Sequence, residues 1–189
     1  MHTALAAYFY DITDINEETL ASLTPYFREK TIRKNEVLLR EGEVCQSNYF
    51  VISGCIRLYS VNQEGLENTR YIAFERKFAT SFTSLITGQP SIEYIQSLEK
   101  STVLAISKED FFYLVEHEPA VNKVYRNILE SAYITTQKRI YDLQGTDSLN
   151  RLKLLLAQQP QVFKRLSNKV IASYLGITPY TLSRLKSSL

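Results

Sequence analysis

The periodicity of the chain changes once, near Ser107, and this change limits the fold more than any other feature of the sequence. Between residues 31 and 107, apolar and polar side chains alternate in short runs at 36–39, 49–52, 56–61, 69–74, 94–98 and 103–106. Alternation places successive side chains on opposite faces of a strand. Glu41-Gly42, Ser53-Gly54, Glu64-Gly65 and Gly88-Gln89-Pro90 punctuate the runs. Short strands divided by such turns predict an antiparallel barrel or sandwich, with Gly42, Gly54, Gly65 and Gly88 at positive φ. Ahead of it, residues 13–30 predict a helical lead-in capped by Thr13 or Asp14, with Ile15, Leu20, Leu23 and Phe27 on one face.

Beyond Ser107 the period is helical. Residues 108–117 predict a short helix and residues 119–143 a long one opening on Pro119. Val121, Val124, Tyr125, Ile128, Ala132 and Thr135 run along one face of the long helix, continuing through Ile140 and Leu143. A stripe this long suits a dimer helix, and it also suits packing on the chain's own barrel. Gly145 ends the helix, and Asp147 caps a following one with Leu149, Leu152, Leu155 and Leu156 on its apolar side. The reading is an α+β chain of two domains: a β-roll sensor with its dimer helix over 1–145, and an α-helical domain over 146–189.

Charge divides along the same line. Residues 146–189 hold seven Lys and Arg against one acid, whereas residues 1–145 hold fifteen against nineteen. A small basic module on an acidic body points to a polyanion partner. Cys45 and Cys55 have no metal-ligand spacing and are expected as reduced structural thiols. There is no secretory leader pattern and no apolar stretch of about 20 residues, so a cytoplasmic protein with no membrane partner is expected. No His lies between residues 3 and 116, and no nucleophile elbow, zinc helix or phosphate loop is present. Neither an enzyme nor a metal site is expected.

Residues 167–185 carry the chemistry. Ser167 can cap a helix to Leu175, Ala172 suits a close helix crossing, and Gly176 suits a left-handed turn. Thr178 and Pro179 open a second helix. Ile171, Leu175, Ile177, Leu182 and Leu185 form the wedge between the two. This is a helix-turn-helix, whose second helix enters the major groove of DNA. Its exposed face would carry Pro179, Tyr180, Thr181, Ser183, Arg184 and Lys186, with Arg184 able to donate twice to guanine. Ser167, Asn168, Lys169 and Lys186 suit phosphate, and Thr178 belongs to the same surface.

With both halves read, the chain resembles the cyclic-AMP receptor protein / fumarate-nitrate regulator superfamily of bacterial transcription factors over nearly its whole length. The residues that carry the resemblance are Glu36, Glu41-Gly42, residues 49–54, Ile56-Arg57, residues 64–67 and Thr181-Leu182-Ser183-Arg184. It implies an antiparallel jelly-roll β-roll, a homodimer on double-stranded DNA, RNA polymerase as a further partner, and a small-molecule effector of unknown identity. The family's nucleotide-binding members hold ribose with Gly-Glu and the cyclic phosphate with Arg-Ser. Thr80-Ser81 and Ser91-Ile92 align there, so the phosphate has no guanidinium and cyclic AMP is not expected to bind. Thr136 aligns where the family's long helix offers a hydroxyl. The iron–sulfur branch needs an N-terminal cysteine cluster, which this chain lacks, and His117 sits at a helix end rather than as a haem ligand. No cofactor is expected. The chain stops four residues past Leu185, so a smaller DNA-contacting surface than the family's is expected. The alternative is an effector- or partner-binding module with a degenerate helix-turn-helix, which salt dependence of DNA binding would separate.

Overall fold

The computed structural model describes residues 2–187. Its chain opens with α1 (Thr3–Ile12), α2 (Glu17–Ser22) and a 3-10 turn (Thr24–Tyr26). Strands β1 (Arg28–Ile32), β2 (Val37–Leu39), β3 (Ser47–Ser53), β4 (Ile56–Val61), β5 (Glu67–Ala73) and β6 (Phe78–Ala79) follow. After α3 (Phe82–Thr87) come β7 (Tyr94–Ser97) and β8 (Ser101–Ser107). The remainder is helical: α4 (Lys108–His117), α5 (Pro119–Gly145), α6 (Ser148–Gln158), α7 (Val162–Arg165), α8 (Asn168–Leu175) and α9 (Pro179–Lys186). The strands form two four-stranded sheets in the orders β1-β8-β3-β6 and β2-β7-β4-β5. The crossed strand order is that of the jelly roll that the family resemblance implies.

Two compact units result. One holds the chain up to Leu58 together with Ile72–Ser131, and the other holds Tyr59–Tyr71 together with the chain from Ala132 onward. The division differs from 145/146: the β4–β5 turn and the last half of α5 cluster with the C-terminal helices. A domain limit at a helix break reads chain connectivity, whereas packing follows which side chains meet.

The central strands are buried on both faces rather than alternating, as in Asn48–Val51 and Ile56–Tyr59. The reason on one side is α1, whose Tyr8 ring lies 5.5 Å from both Phe50 and Phe78, which are themselves 5.0 Å apart. Edge-to-face rings at these spacings add to ordinary apolar burial.

The lead-in is corrected. Thr13 does not start a helix over 13–30; its N–H and hydroxyl both donate to Phe9 O at 2.8 Å and close α1. Asn16 is the cap of α2, accepting from Thr19 N at 2.8 Å. Residues 28–32 are extended, because five residues of β1 pair in register with β8, Arg28 opposite Ala105 through Ile32 opposite Ser101. The turn glycines have the expected positive φ: +86° at Gly42, +99° at Gly54, +77° at Gly65 and +71° at Gly88. Asp147 caps α6 as expected, its Oδ1 accepting from Leu149 N and Asn150 N at 3.0 Å. Those bonds, with Asn150's first, hold its carboxyl below the usual carboxylate range. No helix of the described residues is long and apolar enough to cross a membrane.

Candidate nucleic-acid interface

The α8–α9 pair is built by local hydrogen bonds. Ser167 Oγ accepts from Val170 N at 3.3 Å and Thr178 Oγ1 from Thr181 N at 3.1 Å, each satisfying a helix-start donor. Pro179 occupies the first turn of α9, where its missing N–H costs nothing. Between the helices Gly176 takes φ +66°, and Ile177 N donates to Ala172 O at 3.0 Å. A side chain at Gly176 would also meet Leu143 Cδ2 at 3.1 Å. Ile171, Ala172 and Leu182 have no exposed surface and Leu175 almost none, so the wedge is closed. Ile177 and Leu185 are half-buried at its edge.

All ten residues expected at DNA lie on or beside these helices. Pro179, Tyr180, Ser183, Arg184 and Lys186 are exposed, Tyr180 at 72%, while Thr181 is half-buried. Several polar groups are already engaged. Thr181 Oγ1 stands 3.0 Å from Thr178 Oγ1, and Ser183 Oγ donates to Pro179 O at 3.0 Å. Lys186 Nζ sits 4.3 Å over the Phe163 ring and donates to Asn168 Oδ1 at 3.5 Å. Lys169 Nζ pairs with Glu67 Oε1 at 2.7 Å. Among the described residues, Tyr180 and Arg184 carry no such commitment. They are four residues apart, so they share one face of α9 about 6 Å from each other along the axis. Arg184 retains all five donors for a base edge.

The long helix places its expected seam differently. Val121, Val124 and Ile128 are buried within the single chain, and Tyr125 packs edge-on against Phe111 and Phe112 at 5.7 and 6.1 Å. Val121, Val124 and Ile128 thus have little surface left for a second copy, which corrects their assignment to the dimer contact, whereas Tyr125 is half-buried. Ala132 and Thr135 are exposed. The apolar side chains that remain open on α5 are Tyr133, Ile134, Ile140, Tyr141 and Leu143, with Leu129 half-buried.

The five effector candidates differ in their surroundings. Ser91 Oγ lies 3.2 Å from Ser81 Oγ and donates to Glu93 O at 2.8 Å. Thr80 Oγ1 donates to Ser47 O at 2.9 Å and stands 3.3 Å from Cys45 Sγ. These three hydroxyls are buried and engaged with protein, whereas Ile92 is 78% exposed and Thr136 lies exposed on α5. Open concavities lie elsewhere, one lined by Thr31, Arg33, Lys34, Asn35 and Glu36. A buried cation in the roll is not among the site residues expected from the sequence. Arg57, flanked by Ile56 and Leu58, is 5% exposed and donates Nε and Nη2 to Gln96 Oε1 at 3.0 and 2.7 Å. Cys45 and Cys55 are both buried thiols. His117 closes α4, with its ring stacked 4.2 Å from Tyr113 and Nδ1 2.8 Å from Tyr113 O.

Comparison with known proteins gives three concordant findings. Residues 29–118 match the cyclic nucleotide-binding domain family. The chain is 27% identical over 183 residues to the fumarate and nitrate reduction regulatory protein of Vibrio cholerae, covering 90% of this chain and 72% of that one. It is 24% identical to the anaerobic regulatory protein of Haemophilus influenzae, covering 90% and 70%. Among solved structures, FixK2 of Bradyrhizobium japonicum superposes with a TM-score of 0.76 at 17% identity, covering 86% and 84% of the two chains. A transcriptional regulator of the CRP/FNR family from Thermus thermophilus superposes at 0.68 with 17% identity, covering 86% and 85%.

Proposed function

We propose that this chain, which is similar to the Crp/Fnr superfamily of DNA-binding transcription regulators, acts in the cytoplasm as a homodimer, without catalysis, laying α9 of each copy in the major groove of a two-fold symmetric site. The observation that carries the reading is the uncommitted Tyr180–Arg184 pair on the open face of a helix whose other face is a closed apolar wedge. Arg184 reads a guanine. Tyr180 contacts the neighbouring base pair or its phosphate, while Ser167, Asn168, Lys169 and Lys186 set the register on the backbone. RNA polymerase is the further partner of such a regulator.

Selection from random-sequence duplexes tests this directly. The protein, without added ligand, is expected to enrich a paired half-site. Arg184→Ala is expected to erase the preference at one base pair of each half, a loss of about 1–3 kcal/mol per half-site. Absence of DNA binding at low salt would remove the reading in favour of a partner-binding module.

The second copy docks on α5. Leu129, Tyr133, Thr136, Ile140 and Leu143 follow one another at spacings of four, three, four and three, the repeat that keeps a seam facing a partner helix. Three of them are large apolar side chains at least 40% exposed in the single chain. The seam therefore lies about a quarter-turn away from the buried Val121–Val124–Ile128 face.

No cyclic-nucleotide cofactor enters this reading. The hydroxyls of Thr80, Ser81 and Ser91 are engaged with one another or with backbone, and the aligned positions supply no guanidinium for a phosphate. Calorimetric titration with cyclic AMP is expected to show no heat of binding in the micromolar range. A saturable micromolar isotherm would reverse this assignment.

A further inference from the structure

Val121 and Arg139 are eighteen residues apart on α5, about five full turns, so they point the same way. The face that carries buried Val121 and, near it, Val124 and Ile128 thus ends on a guanidinium. Arg139 Nη2 donates to Tyr174 O at 2.6 Å and to Thr69 O at 2.9 Å. Its guanidinium carbon lies 4.2 Å from the centre of the Tyr174 ring. One planar cation therefore touches the long helix, strand β5 and the C-terminal turn of α8 together. A cation at that end of a helix also meets the negative end of its dipole.

Two further contacts act on the same turn. Ser173 Oγ donates to Glu67 O at 2.7 Å, accepts from Thr69 N at 2.8 Å and lies 2.9 Å from Thr69 Oγ1. Arg151 Nε donates to Leu175 O at 3.2 Å, while its Nη1 donates to Thr146 O at 2.5 Å. The last carbonyls of α8 are thus held by two arginines from two different helices. Burial lowers the Arg139 pKa from its ordinary value, an effect Tyr174 opposes and Arg70 and Arg151 reinforce. A half-buried cation kept at that cost is held by specific partners. No surface role accounts for it, since both bonds point inward.

We propose that Arg139 is a positioning residue: it locks α8 to α5 and β5, and thereby fixes the distance between the two recognition helices of the dimer. This rests on the homodimer reading above. Base choice belongs to Arg184 on α9, whereas half-site spacing belongs to the rigidity of the joint between α5 and α8. A freely jointed module would accept many spacings at a lower effective concentration for each. Lysine would not substitute fully, because stacking on Tyr174 needs the planar guanidinium.

The experiment is the same duplex selection run on the wild type, Arg139→Gln and Ser173→Ala, with circular dichroism confirming that each is folded. Arg139→Gln is expected to enrich the wild-type half-site over several spacings, with the best-spaced site weakened roughly tenfold. Ser173→Ala is expected to give a milder form of the same broadening, and it serves as the test if Arg139→Gln does not fold. A variant that weakens binding but keeps the single wild-type spacing overturns the proposal, because loss of stability alone leaves spacing untouched. A wild type that enriches half-sites at no preferred spacing overturns it too. A wild type that enriches no half-site at all removes the DNA-binding reading itself and this one with it.

Discussion

On the proposed homodimer, Ile140→Asp is expected to yield a folded monomer whose affinity for a two-fold symmetric site is lower by about a hundredfold to ten-thousandfold, the advantage that linking two binding modules confers. Ile140 is 41% exposed in the single chain, so its replacement removes little intramolecular packing. Surface changes of that kind stay within about 0.5 kcal/mol. At a dimer seam the same change is severe. Two carboxylates meet across the interface beside Tyr133 and Leu143, and each must lose water without a partner. Sedimentation would report the monomer, and titration with the selected duplex would report the affinity. A variant that remains dimeric would move the contact off the Leu129–Tyr133–Thr136–Ile140–Leu143 stripe. Val124→Asp separates the alternatives from the other side. That position is 2% exposed, so the variant is expected to lose fold rather than dimerisation alone.

Gly54→Ala is expected to lower stability by roughly 2–6 kcal/mol. A share of about 1–3 kcal/mol comes from placing a side chain at φ +99°. A similar share, about 1–3 kcal/mol, comes from overpacking. The added Cβ would lie 2.2 Å from Ser101 Oγ and 2.7 Å from Ser101 Cα. Ser101 cannot step aside. It is 1% exposed, accepts from Cys55 N at 3.1 Å and stands 2.8 Å from Ser97 Oγ. Gly65→Ala is the control: its φ is +77° but nothing lies within 4 Å of the new atom. Only the backbone contribution should remain there. Urea midpoints for the two variants decide the matter, and equal losses would show that the Ser101 contact contributes nothing.

The features legible along the chain are those whose causes are local. A glycine at positive φ, as at Gly54 or Gly176, answers to its own backbone and leaves its mark in the chain. Caps such as Asp147, Ser167 and Thr178 reach only two or three residues ahead. The helix-turn-helix is readable for that reason, since its caps, turn and wedge all fall within residues 167–185. The length of α5 was legible from its opening proline and its closing glycine.

Tertiary structure decided everything that depends on distant partners. The exposed, polar β1 shows no alternation, and it becomes a strand because β8 offers five partners in register. Which face of α5 is buried could not be read from the stripe, because apolar residues cover more than one side of that helix. Packing took Val121, Val124 and Ile128 inward and left Tyr133 and Ile140 open. Ser81 and Ser91 are ten residues apart in the chain, and folding brings their hydroxyls within 3.2 Å. Nothing in the sequence sets Arg139 and Arg151 apart from other cations; the carbonyls of Tyr174 and Leu175 beside them do. A hydrogen bond that spans 35 residues leaves no periodicity behind. Its energy depends on where the backbone brings the two groups, and only the folded chain sets that distance.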